Sequence, residues 1–171
     1  MEGFICSTCG QYHDQLPLVL GAPAPAAYEA IPPAERERRA SLSSDQCVID
    51  GKHFFVLGRL ELPVTDSPHP FTWLTWVSLS EKNFLRASEL WHTVGRESEE
   101  PYFAWVQSAL PYPGGTLSLQ ASLHTQPVGE RPIVVLHEAD HQLYREQRHG
   151  ISMARVRQIV EAALQAGELK R

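Results

Sequence analysis

Asp50-Gly51 lies between Cys47-Val48-Ile49 and the long run His53 to Val64, and no other local pattern in the chain narrows its fold so far. Aspartate followed by glycine accepts the positive φ of a two-residue hairpin turn, and the β-forming residues on either side give that turn two strands to join. Phe71 to Leu79, dense in aromatic and β-branched residues, predicts a third strand. From Thr116 to His124 polar residues alternate with Leu117, Leu119, Ala121 and Leu123, the period of two expected of a strand with one face on a core and one in water. Ile133 to Leu136, following Pro132, predicts another short strand, and Leu16 to Leu20 an early one.

Helices interleave with these strands. Ser80 predicts the cap of a helix over 81–91, with Phe84, Ala87 and Trp91 on one stripe. Ser152 predicts the cap of the last helix, with Val156, Ile159, Val160, Ala163 and Leu164 as its buried stripe and Gly167 as its stop. Ile151 stands just outside that cap, placed to staple onto Val156. Pro32-Pro33 opens a short charged helix through Ala40, ended by Ser43, Ser44 and Asp45. Strands outnumber helices and the recognisable turn is a hairpin, so the expected class is α+β, a mainly antiparallel sheet with flanking helices and an N-terminal knuckle-like turn. A length of 171 residues suits a single domain over 1–171. Its expected parts are a knuckle and first strand (1–20), a Pro-rich connector with a short helix (21–45), a β-rich core with its helix (46–137) and C-terminal helices (138–171). Within the second part, Gly21 to Ala27 is expected to be extended and on the surface.

Hydrophobic residues at 43% and charged residues at 20% are ordinary globular usage, which excludes disordered and fibrous classes. The formal net charge of -5 argues against non-specific attraction to nucleic acid or anionic lipid. Met1-Glu2-Gly3-Phe4 has no basic n-region, and no apolar run reaches the ~18 residues of a membrane span, so a cytoplasmic protein is expected.

Three cysteines are too few and too odd in number for a disulfide framework. Cys6-Ser7-Thr8-Cys9-Gly10 has the form of a zinc knuckle, in which two thiolates bind one ion and Gly10 eases the turn that follows. A closed site needs four ligands, and His13 with Cys47 would complete a Cys3His tetrahedron holding a structural zinc, one per chain. Two other readings stand beside it. The thiols are reduced and unliganded, with Cys47 a small buried hydrophobe, or the first two are a redox pair, although no βαβ unit is present to carry one.

His137-Glu138-Ala139-Asp140-His141 matches H-E-x-x-H, which inside a helix brings two imidazoles to one zinc with the glutamate as general base. Here a strand precedes it and Asp140 suits the cap of a helix starting at His141, so the histidines are expected on different elements. A zinc hydrolase using His137, Glu138 and His141, with Glu138 its catalytic base, is the alternative function. Leu143 to Val160 resembles a helix-turn-helix, but Glu146 sits where close helix crossing wants a small residue, and with the acidic charge this makes nucleic-acid binding unexpected. Trp73 and Trp76 differ by an odd number, so they face opposite sides of one strand, and one lies outside the main core under a helix or at a partner surface. Most other aromatics are expected in the core.

Several segments taken together resemble a bacterial family, domain of unknown function 2199. They are Cys6 to Gly10 with His13, Ser44 to Asp50, His53-Phe54-Phe55, Trp76 to Glu81, Glu89-Leu90-Trp91, Pro101-Tyr102-Phe103, and Asp140-His141 with Glu146-Gln147 and Gly150-Ile151. The resemblance implies no activity. It does imply that His137 and Glu138 are particular to this chain, while Asp140, His141 and Glu146 form a lesser candidate cluster. The function expected is binding of a protein partner by a zinc-stabilised domain.

Overall fold

The structure is a computed structural model that describes residues 3–5, 11–13 and 15–166, with the side chains of Phe4 and His13 outside that description. β1 (Phe4–Ile5) and β2 (Tyr12–His13) pair antiparallel at the start of the chain. β3 (Val19–Gly21) is shorter than the expected first strand and buries Leu20. The Ala/Pro connector lies only partly on the surface: Gly21, Ala22 and Pro23 are exposed, but Ala24 and Pro25 are buried and α1 (Ala26–Glu29) begins within it. Ala and Pro lose no side-chain entropy on burial, so such a stretch packs as readily as it spans. A 3-10 turn, Pro33–Glu35, leads into α2 (Arg36–Arg39) as the proline pair predicts. The chain then extends at Ala40 into β4 (Ala40–Leu42), and Ser43 turns it, its Oγ accepting from the Gln46 amide at 3.0 Å.

β5 (Gln46–Ile49) and β6 (His53–Leu62) form the expected hairpin, with φ of 53° at Asp50 and 61° at Gly51. β7 (Phe71–Leu79) pairs antiparallel along the length of β6. Ser80 caps α3 (Glu81–Glu89), its Oγ accepting from the Asn83 amide. After it come β8 (Tyr102–Val106), β9 (Gln120–His124) and β10 (Ile133–Leu136). The alternation from Thr116 holds only from Gln120 onward. Ahead of it Leu117 is exposed while Thr116 is buried, because the Thr116 hydroxyl donates to the Ser108 carbonyl and accepts from the Leu110 amide. Two buried backbone groups thus outweigh one leucine. α4 (Gln142–His149) and α5 (Met153–Gln165) close the described chain, the second capped by Ser152 and burying Val156, Ile159, Val160 and Ala163 of the expected stripe, with Leu164 only half-buried.

The sheet is mainly antiparallel, but it closes on itself. Among the described residues eight strands run in the order β3-β7-β8-β9-β10-β6-β5-β4, and β7 also pairs with β6. β6 through β10, omitting none, therefore make a five-stranded barrel whose one parallel contact is β10 against β6, Ile133 opposite Arg59. Closure works because the two longest strands share their outer edges. β6 pairs with β5 over its first half and with β10 near Arg59, while β7 pairs with β3 at Thr72–Leu74 and with β8 at Val77 and Ser78. Alternate residues fill the interior, among them Leu60, Trp73, Ala104, Ala121 and Val134, all essentially without exposure. A small barrel is packed by its own side chains in this way.

Trp73 and Trp76 do face opposite sides. Trp73 is in the barrel cluster, and Trp76 is in a second apolar cluster with Ile31, Cys47, Ile49, Phe55 and Leu57. α3 covers the barrel end where β6 starts, with Phe84 against Phe54 at 5.1 Å between ring centroids. α4 and α5 cover the other end, where Ile151 bridges to Val64 just past β6. No helix among the described residues is long and apolar enough to cross a membrane.

Candidate functional site

The H-E-x-x-H residues separate as the local pattern predicts. His137 follows β10 and its Nε2 lies 2.8 Å from Ser122 Oγ on β9. His141, not Asp140, caps α4: its Nδ1 accepts from the Leu143 amide at 3.0 Å and its Nε2 donates to the Gly115 carbonyl at 2.6 Å. A neutral imidazole keeps one nitrogen free to accept from a helix-start amide, and Asp140 instead pairs with Arg145 at 2.8 Å. With both nitrogens of His141 in use, the hydrolase arrangement of His137, Glu138 and His141 does not form. Among the described residues no group of three or more His, Cys, Asp or Glu side chains is placed to hold a metal ion.

Cys6, Cys9 and the His13 side chain lie outside the described residues. Cys47 is fully buried in the second apolar cluster, where burial pushes its thiol up to about 11. The carbonyl of Ile5, next before Cys6, accepts from Arg157 on α5 at 2.6 Å, and α5 packs on the barrel cluster.

Glu146, from the lesser candidate cluster, is structural in its surroundings. It is buried and pairs with Arg155 of α5 at 3.0 Å, so it joins the two helices that resemble a helix-turn-helix. Arg155 also stands 5.8 Å over the ring of Tyr112, whose hydroxyl accepts from Trp73 Nε1 at 3.1 Å. Burial raises the Tyr112 phenol well above its usual range, and Glu146 raises it further. The group ties α4 and α5 to the barrel floor.

A concavity lies at the opposite end. Where β6 changes partner from β5 to β10 those two strands part, and a cavity of about 550 Å³ opens there beneath α3. Val56, Leu90, Trp91 and Leu123 give it an apolar wall, and Arg59 and Arg131 line it on the strand side. Arg131 spans the gap between the parting strands, its Nε 2.7 Å from Asp45 Oδ1. Burial raises the Asp45 carboxyl, but hydrogen bonds from Arg131 and Ser44 outweigh this and hold it below its ordinary value. Tyr102 lines the same space and donates to Glu99 at 2.8 Å; burial and that carboxylate push its phenol up to about 12.

Arg96 forms one side of the cavity and is buried, with its guanidinium donating to the carbonyls of Trp91, Gln126, Pro127 and Glu130. It fastens the loop after β9 to the end of α3 and sits 5.7 Å over the Trp91 ring. The guanidinium fork and the aromatic face suit this contact. None of the arginines was singled out by the sequence pattern, because isolated arginines on strands and loops read as solvated charges. Asp45, Trp91 and Tyr102 fall in segments that carry the family resemblance, and that was the available signal.

Fold and cavity together define a small α+β protein built on a closed five-stranded barrel, with a ligand-sized space at one mouth. Residues 5–151 match the model of a family described as uncharacterized protein conserved in bacteria (DUF2199), and the chain belongs to that family. Comparison with curated proteins found no match, and comparison with solved structures found none.

Proposed function

We propose that this protein is a binding module whose small-molecule ligand occupies the cavity beneath α3. The observation that carries the reading is the make-up of that space: an apolar wall of Val56, Leu90, Trp91 and Leu123 facing a few placed polar groups in about 550 Å³. Ligand sites of this size are commonly apolar with a small number of convergent polar groups, and barrel mouths are frequent hosts. The test is a titration of the ¹⁵N-labelled chain with the neutral alcohol 3-phenylpropan-1-ol. The expected result is movement of the Leu90, Trp91 and Leu123 amides and the Trp91 indole signal. Shifts scattered over the surface, or none at all, would count against the cavity.

Two parts of the sequence reading stand as separate proposals. Binding of a protein partner is supported by Phe103 and Trp105, which lie edge to face at 5.2 Å on the outer barrel surface and are 45% and 39% exposed. Aromatic residues left partly in water are typical of interfaces. Sedimentation of the parent chain and of F103S/W105S tests it with a second copy as the partner. Association lost in the double variant supports it, and a monomeric parent opposes it. A structural zinc on Cys6, Cys9, His13 and Cys47 draws its support from the spacing of the first two cysteines. The surroundings of Cys47 support the small-hydrophobe reading instead, and the metal content of the purified chain decides between them.

A further inference from the structure

We infer that the ligand of the cavity is an organic anion, a carboxylate on an apolar or aromatic body, with Arg59 as its anchor; this rests on the reading of the cavity as the ligand site. Three guanidinium groups converge there, and their charges are unequally answered. Arg131 is paired with Asp45, and Arg59 Nη1 lies 3.2 Å from Glu61 Oε1. Arg96 is buried against carbonyls alone, with no carboxylate among its partners. Glu130 stands on the rim with an exposed side chain and makes no ion pair with any of the three. The buried part of the site therefore carries excess positive charge.

Arg59 supplies the second observation. Its Nε is buried and has no hydrogen-bond partner, while the side chain as a whole keeps 29% exposure and lines the cavity. A buried donor left unmade is costly, and the Nε edge of a guanidinium is one side of the fork that takes a carboxylate in bidentate fashion. A turn of this flexible side chain presents that edge to a ligand oxygen; it breaks no bond at Nε and gives up only the partly exposed pairing of Nη1 with Glu61. The apolar body of the ligand then lies along Leu90, Trp91 and Leu123.

The experiment compares 3-phenylpropionate with 3-phenylpropan-1-ol, which share a body and differ in charge, by the same amide titration on the full chain. The carboxylate should move the same cavity signals and bind about tenfold or more tightly, the gain expected of a charge-assisted pair. That gain should shrink as salt is added. R59M should abolish the difference between the two compounds. If R59M does not fold, R131Q, a partly exposed position, should reduce the same difference. Equal affinity for the two compounds, or a gain that survives in every folded arginine variant, overturns the inference and leaves the cavity reading standing. If neither compound moves cavity signals, both are overturned.

Discussion

Gly58 on β6 faces Val134 on β10 so closely that a Cβ on the glycine would stand 2.6 Å from Val134 Cγ2 and 3.2 Å from the Pro132 carbonyl oxygen. This is the point at which β6 takes β10 as its partner, next to the Arg59–Ile133 pairing that closes the barrel. Glycine is needed here for space, not for its backbone freedom.

Gly58→Ala should therefore destabilise the protein by about 1–3 kcal/mol, the usual cost of overpacking a tight interior. The branched side chain of Val134 has few rotamers to retreat into. Val134→Ala in the same chain should recover part of that loss, although alone it should cost stability. Urea unfolding of the two single variants and the double variant measures the coupling, and simple additivity would rule out the contact.

Tyr112→Phe removes the hydroxyl that accepts from Trp73 Nε1. The indole N–H would lose its buried partner. The expected destabilisation is about 1–3 kcal/mol. Because this group joins α4 and α5 to the barrel, hydrogen exchange should accelerate in those helices more than in β6 and β7. Uniform acceleration would show that the hydroxyl has no such local role.

Cys47 should resist thiol reagents at neutral pH, reacting only as fast as the chain opens. Its folded pKa, about 11, lies above the ordinary 9.0. The stabilisation this represents is complete below 9 and is lost as pH rises through 11, since the unfolded thiol ionises first. Cys47→Ser should lower stability by about 1–3 kcal/mol by placing a hydroxyl in an apolar cluster, and Cys47→Ala should cost less. Rapid labelling of the folded protein at neutral pH would contradict this placement.

Asp45 predicts the behaviour in acid. Its folded pKa lies below the ordinary 3.8, so near that pH the unfolded state binds more protons and acid favours unfolding. The contribution is present above 3.8 and disappears as pH falls through the lowered value. Asp45→Asn should flatten the loss of melting temperature between neutral pH and pH 3, and should free Arg131 from its pair across the strand gap. An unchanged acid profile would show that the Asp45–Arg131 pair adds nothing to stability.

The local elements were largely legible in the residues. Asp50-Gly51 demands a hairpin because few other dipeptides accept two successive positive φ values, and Ser80 and Ser152 cap helices because their hydroxyls satisfy amides that a helix start leaves unpaired. Trp73 and Trp76 had to face opposite ways once Phe71–Leu79 was a strand. Where local reading failed, a distant group had intervened. Thr116 is buried in place of Leu117 because its hydroxyl serves two backbone groups near Ser108 and Leu110. His141 replaces Asp140 as the cap because the Gly115 carbonyl holds the other ring nitrogen.

By itself the sequence determined the β5–β6 hairpin, the strands β7, β9 and β10 and the serine-capped helices α3 and α5, since these follow from backbone sterics and from the period of apolar residues, while β8 (Tyr102–Val106) carried no such signal. Tertiary structure decided that β6 divides its outer edge between β5 and β10, that the sheet thereby closes, and that Arg59, Arg96 and Arg131 meet around one cavity. Hydrogen bonding along a strand edge is the same for any partner backbone. The choice of partner rests on side chains far apart in the chain, such as Gly58 and Val134, whose fit exists only when the fold brings them together.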